Sequence, residues 1–118
     1  MRILVVDDNQ IVRQCIVEIL SEKGWEVCEE VAGGDEAIRK VRIAVPDLVL
    51  LDISMPGKNG FEVARLMRQE HPKLKIILLS QNDAGYMVST STNHSIDGFV
   101  DKARMATDLI PTIETVCR

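Results

Sequence analysis

Short apolar runs rich in branched residues recur along the chain. Ile3-Leu4-Val5-Val6, Leu48-Val49-Leu50-Leu51 and Ile76-Ile77-Leu78-Leu79 are uninterrupted, and weaker runs lie near 26–31 and 97–101. Runs this apolar predict strands of a parallel sheet covered on both faces. Between them, apolar positions repeat with a helical period. Val12, Cys15, Ile16, Ile19 and Leu20 mark a first helix that Asp8 or Asn9 can cap. Ala37, Ile38 and Val41 mark a second after Gly33-Gly34-Asp35, and Phe61, Ala64 and Met67 a third, ended by His71-Pro72. Leu109, Ile110, Ile113, Val116 and Cys117 mark the last. Its Pro111 is tolerated if Thr107 or Asp108 is the cap, because the proline then falls near the first turn. The fourth stretch is weak. Ser89-Thr90-Ser91-Thr92-Asn93 compete with helical backbone bonds, which fits a polar solvent face or a helix kept marginal so that it can shift.

Five strands alternating with five helices predict an α/β fold, a doubly wound five-stranded parallel sheet. Right-handed crossovers leave few topologies, and strand order 2-1-3-4-5 is a common one. Its switch point lies between strands 1 and 3, and sites in such sheets lie beyond the carboxyl ends of the strands there.

Polar residues close the apolar runs at that same end. Asp7 and Asp8 follow the first run, Asp52 the third, Ser80 the fourth, and Lys102 stands just after Gly98-Phe99-Val100. Asp52 precedes the turn-forming Ile53-Ser54-Met55-Pro56-Gly57, which predicts an exposed carboxylate. Each residue alone has an ordinary reading: Asp8 as a helix cap, Lys102 as a solvated lysine, Ser80 as a turn residue. Jointly, three carboxylates around one point suit a hard divalent cation, and magnesium fits best because it takes one or two carboxylates and keeps several waters. A carboxylate can also attack phosphorus and form an aspartyl phosphate. That transfer needs positioning and charge neutralisation. Lys102 can supply a compact positive charge and Ser80 a hydroxyl donor.

The chain has 118 residues, enough for a single domain over 1–118. It is 46% hydrophobic and 27% charged, an ordinary globular balance. Net charge −4 argues against this segment gripping nucleic acid by itself. Cys15, Cys28 and Cys117 match neither a zinc site nor a disulfide framework, so a reducing cytoplasm is the simplest location. The apolar run that begins after Met1-Arg2 is too short for a signal peptide or a membrane span.

The motifs, in this order and spacing, resemble the receiver domain of two-component response regulators over essentially the whole chain, Ile3 to Val116. They are Val5-Val6-Asp7-Asp8-Asn9, Pro46-Asp47-Leu48-Val49-Leu50-Leu51-Asp52, Met55-Pro56-Gly57-Lys58-Asn59-Gly60, Leu79-Ser80 and Asp97-Gly98-Phe99-Val100-Asp101-Lys102. The resemblance implies a flavodoxin-like fold with Asp52 as phospho-acceptor. Asp7, Asp8, Asp52 and the backbone carbonyl of Ser54 would hold Mg2+. Ser80 and Lys102 would grip the phosphoryl group, and Phe99 would turn inward as Ser80 moves. Ser54 and Asn82 stand where the family tunes phosphate loss, and neither carries a charge. The resemblance further implies a sensor histidine kinase as phosphodonor. It also implies a changed face of fourth helix, fifth strand and fifth helix that controls an output or a homodimer, and a domain that assists its own phosphorylation and dephosphorylation.

Gln10-Ile11-Val12-Arg13-Gln14 and Ala103 are similar to the NarL/FixJ (LuxR-type) branch, whose receivers usually precede a helix-turn-helix domain. On that resemblance the chain would be an excised receiver, with transcription and DNA reached through an absent C-terminal output domain. Two departures bear on the site. Many receivers have a proline after the lysine, preceded by a cis bond, whereas a cis bond before Ala103 would cost about 2.5–4 kcal/mol. Gln81 stands where a small residue is common, which would narrow access. Gln81 and the weak fourth helix are the support for a phosphorylation-independent interaction module of the same fold. A magnesium-dependent phosphatase would typically place a second acid two residues after its nucleophile, where Ser54 stands. His71 and His94 lie outside every motif and read as surface residues.

Overall fold

Strands β1 (Arg2–Val6), β2 (Glu26–Val31), β3 (Leu48–Asp52), β4 (Lys75–Ser80) and β5 (Gly98–Asp101) pair in parallel in the order β2-β1-β3-β4-β5. This is the predicted flavodoxin-like sheet, seen in a computed structural model that describes residues 1–55, 57, 59–81 and 95–118. Four α-helices accompany it among the described residues: α1 (Gln10–Ser21), α2 (Gly34–Ala44), α3 (Gly60–Glu70) and α4 (Met105–Val116), the last preceded by a 3-10 turn, Lys102–Arg104. The expectation of five helices is therefore corrected to four among the described residues. The weak stretch around Ser89–Asn93, expected to be a helix, lies outside the described residues.

Alternation along the strands divides the core into two layers. Leu4, Val6, Val49, Leu51, Ile76 and Leu78 face α2 and α3, where they meet Ala37, Val41, Val63, Ala64 and Met67. Ile3, Val5, Leu48, Leu50, Ile77 and Leu79 face the other way, onto Ile16 and Leu20 of α1 and Leu109 and Ile113 of α4. Both faces of β3 are covered, so all five of its residues are buried.

The helix starts follow the sequence. The Asn9 side chain accepts from the N–H groups of Ile11 and Val12, and Asn59 accepts from Glu62 N–H. Asp8 is thus not the cap of α1, and its carboxylate stays free for other work. The start of α4 departs from expectation. The helix begins at Met105, not after Thr107 or Asp108, so Pro111 sits inside it. The proline has no N–H for the carbonyl of Thr107, but both residues are exposed and the break faces solvent. Where α2 gives way to β3, Val45 takes a left-handed φ of 46°. Arg2 reaches across to the carbonyls of Ala44 and Val45 and ties this junction to the start of β1.

Register decides which residues meet at the carboxyl edge. Val6 pairs with Leu51, so Asp7 and Asp52 come next on adjacent strands. Ser80 pairs with Asp101, so Lys102 leaves the same edge. Gly60 holds α3 against this edge. Its N–H donates to the Ile53 carbonyl at 2.9 Å, and a Cβ at this position would lie 2.6 Å from the Asp52 carbonyl oxygen and 2.7 Å from Ile53 Cα. Both are backbone atoms that cannot swing aside. Gly60→Ala should therefore destabilise the fold by about 1–3 kcal/mol. Gly33→Ala, whose Cβ meets nothing within 4 Å, gives up only a favourable N-cap residue of α2 and should cost less, no more than about 1 kcal/mol. Urea unfolding checks both, and equal midpoints would contradict the close-approach reading.

Candidate functional site

Asp7, the residue after β1, is fully buried. Its N–H donates to the Val31 carbonyl at 3.0 Å, which fastens the strand end to β2. Its Oδ1 accepts from Asn9 N–H at 2.8 Å, while Oδ2 lies 2.7 Å from Lys102 Nζ. Asp52 is 2% exposed, and its Oδ1 accepts from Ser54 N–H at 3.1 Å and lies 3.1 Å from the same ammonium. The expectation that the turn after β3 leaves this carboxylate exposed is thus corrected: Lys102 and the Ser54 backbone close over it. Asp8 is exposed. One carboxylate oxygen from each of Asp7, Asp8 and Asp52 lies within 4.8 Å of the others. Together with Asn9, Val12, Ser54, Gln81 and Lys102 they line a cavity of about 150 Å³.

Burial, and then the nearby Asp7 charge, push the Asp52 carboxyl above the ordinary aspartate value of 3.8, although hydrogen bonding to Lys102 pulls the other way. Burial alone would lower Lys102, but its hydrogen bonds to Asp7 and Asp52 outweigh that and hold it above 10.5. Three carboxylates therefore face one ammonium. All the donors are hard oxygens at the mouth of a small cavity, and the negative charge exceeds what Lys102 offsets. A small divalent cation that binds carboxylates and keeps waters fits this donor set.

The other expected residues are distributed as follows. Ser80 is buried, and its Oγ has no hydrogen-bond partner among the described residues. Phe99 is half-buried and packs against the α2–α3 layer of the core. Gln81 does line the cavity, as its bulk suggested. Asn82 and His94 lie outside the described residues. His71 is half-buried rather than a plain surface residue. Lys102 and Ala103 are joined by a trans bond, since no described peptide bond is cis. Asp101 explains the loop: its Oδ1 accepts from Ala103 N–H at 2.9 Å, a donor that proline would lack. Sequence reasoning missed Asp101 and Val12. An aspartate two residues before a free N–H, at the start of a turn, is the signal that could have found the first.

A family model described as the response regulator receiver domain matches residues 3–114. Response regulator GacA of Pseudomonas viridiflava is 29% identical over 116 residues, 98% of this chain and 54% of that protein. The chain spans about half the length of GacA and of the similar regulator DegU. A two-component response regulator of the LuxR family from Aurantimonas sp. SI85-9A1 superposes with a TM-score of 0.89 at 29% identity, covering 98% of this chain and 84% of that one. Response regulator protein TrrA of Thermotoga maritima, solved in complex with Mg(2+)-BeF, gives 0.85 at 36% identity, covering 98% and 97%.

The raised Asp52 carboxyl has a consequence for stability. The folded state holds this proton more tightly than the unfolded state, so the group's contribution falls as pH rises from 3.8 through its folded value. Asp52→Asn cannot ionise. With chelator present at about pH 7, well above the ordinary carboxylate range, the variant should melt at a higher temperature than wild type, and the gap should close as pH falls. A lower melting temperature for the variant at neutral pH would overturn this account of the site's charge.

Proposed function

The chain belongs to the response regulator receiver domain family, and on that premise we propose that it is a phosphorylation-controlled signalling switch whose acceptor is Asp52. The observation that carries the reading is the gathering of three carboxylate oxygens within 4.8 Å, with one ammonium bridging two of them at 2.7 and 3.1 Å. Asp7, Asp8, Asp52 and the backbone carbonyl of Ser54 would hold magnesium. That ion, when bound, supplies the charge neutralisation that a phosphoryl group needs beside so many carboxylates. The TrrA complex with Mg(2+)-BeF supports the assignment by analogy.

The phosphodonor is a phosphohistidine of a sensor histidine kinase. An Asp52 carboxylate oxygen bonds to phosphorus as the phosphorus–nitrogen bond breaks, and the departing imidazole takes up a proton from water. Lys102, already 3.1 Å from Asp52, moves from pairing carboxylates to pairing a phosphoryl oxygen. Ser80 turns its unpartnered hydroxyl to another. Its movement frees space for half-buried Phe99, which sits beside Leu78 on the neighbouring strand. The surface of β5 and α4 then changes shape and controls an output or a homodimer. The charge change must favour one packing over the other, or nothing is switched. Ser54 and Asn82 would tune phosphate loss.

LuxR-family regulators among the similar structures support the NarL/FixJ reading, and GacA and DegU are about twice as long as the matched segment. We therefore read residues 1–118 as the control domain of a cytoplasmic transcription regulator that reaches DNA through a separate output domain. No helix among the described residues is long and apolar enough to cross a membrane.

Magnesium with a small phosphodonor should add the mass of one phosphoryl group to the native protein, and Asp52→Asn should abolish the gain. A gain that survives the substitution, or none in native protein, would end the assignment and favour a phosphorylation-independent module. Magnesium at about one hundred times its Kd should stabilise the native fold by roughly 2.7 kcal/mol, seen as a higher melting temperature. Asp7→Asn should remove most of that shift. An equal shift in the variant would exclude Asp7 as a ligand.

A further inference from the structure

Arg13 lies one turn into α1, yet its side chain is only 17% exposed and reaches back to the end of β1. Its Nη1 donates to the Asp7 carbonyl at 2.6 Å, and its Nε lies 3.4 Å from Glu30 Oε1 on β2, an ion pair without a hydrogen bond. The Asp7 carbonyl belongs to the peptide group that joins Asp7 to Asp8. Strand β2 thus grips this point twice. Val31 accepts the Asp7 N–H directly, and Glu30 pairs by charge with the guanidinium that donates to the Asp7 carbonyl. The Asp7 carboxylate has its own restraint from Asn9 N–H. The Asp8 carboxylate is exposed, so the orientation of the preceding peptide plane has a large share in deciding where it points.

We infer that Arg13 is a positioning residue for the metal site: it fixes the Asp7–Asp8 peptide so that the Asp8 carboxylate faces the cavity, and Glu30 holds the guanidinium for that task. The inference rests on the reading of Asp7, Asp8 and Asp52 as magnesium ligands. Two other roles make different predictions. If Arg13 acted only as a nearby positive charge, removing it would strengthen cation binding. If it only clamped α1 to the sheet, removing it would lower the melting temperature and leave the affinity of the folded protein unchanged.

Magnesium titration by calorimetry, at a temperature where each variant is folded by circular dichroism, separates these roles. Arg13→Met should weaken magnesium binding on the order of tenfold, the usual scale for a residue that orients a metal ligand. Arg13→Lys keeps the charge but loses the planar fork that serves a carbonyl and a carboxylate together, so it should also weaken binding several-fold. Glu30→Gln, on a side chain 43% exposed, leaves the core untouched and should weaken binding to a smaller degree. It decides the matter if Arg13→Met fails to fold. The Asp8 backbone amide shares the peptide group that Arg13 holds, and its nuclear magnetic resonance signal should move in every variant. Tighter or unchanged binding in Arg13→Met, or in Glu30→Gln should it stand alone, would overturn the inference while leaving the ligand assignment intact. Wild-type protein that binds no magnesium would overturn both.

Discussion

The ammonium of Lys102 reaches Asp7 and Asp52 at once, and the geometry of the molecule follows from what that requires. Two strand ends must stop side by side, and a third must deliver a lysine to the same edge. Adjacent β1 and β3 with Val6 opposite Leu51 meet the first condition, and β5 running parallel to β4 meets the second. Burial makes the contact matter. Burial keeps solvent from screening either carboxylate, so the Lys102 ammonium is shared between groups that repel each other. A metal ion and a phosphoryl group enter a setting where electrostatic balance is already poor, and small changes in charge are felt strongly there.

The layers around the sheet supply rigidity where that balance needs it. β3 is buried throughout, so the strand that carries Asp52 has no exposed face on which to yield. The approach of Gly60 to the Asp52 and Ile53 backbone makes the start of α3 part of the same body. On the opposite side, β2 steadies the loop after β1 through Val31 and through Glu30 with Arg13. The site is thus braced from two directions by elements that contribute no metal ligand.

Much of this was legible in the sequence, because buried parallel strands leave uninterrupted apolar runs and a polar residue closing such a run is conspicuous. Asp7, Asp8, Asp52, Ser80 and Lys102 stand out for that reason, and the strand order follows from alternation and handedness. What remained hidden depends on contacts between segments far apart in sequence. Asp52 is followed by turn residues that suggest exposure, yet Lys102, fifty positions on, helps to cover it. Gly60 looks like a loop glycine until the strand it touches is placed. Pro111 suggested a later helix start, but packing of Met105, Leu109 and Ile113 against the sheet outweighs one lost hydrogen bond. Arg13 stands three residues before Ile16 and seven before Leu20, on the edge of the helix's core face, but its partners on β1 and β2 appear only in the fold.

The division of labour within each aspartate carries a consequence for ion choice. Asp7 commits Oδ1 to the Asn9 amide and Oδ2 to the Lys102 ammonium, and Asp52 commits Oδ1 to both the Ser54 amide and Lys102, so neither carboxylate offers two open oxygens. Both residues are thereby biased toward monodentate coordination. Calcium commonly recruits chelating carboxylates and a large coordination number, whereas magnesium is content with single oxygens and an octahedron completed by solvent. Discrimination between the two ions would then originate in a pair of backbone amides and one ammonium that touch neither.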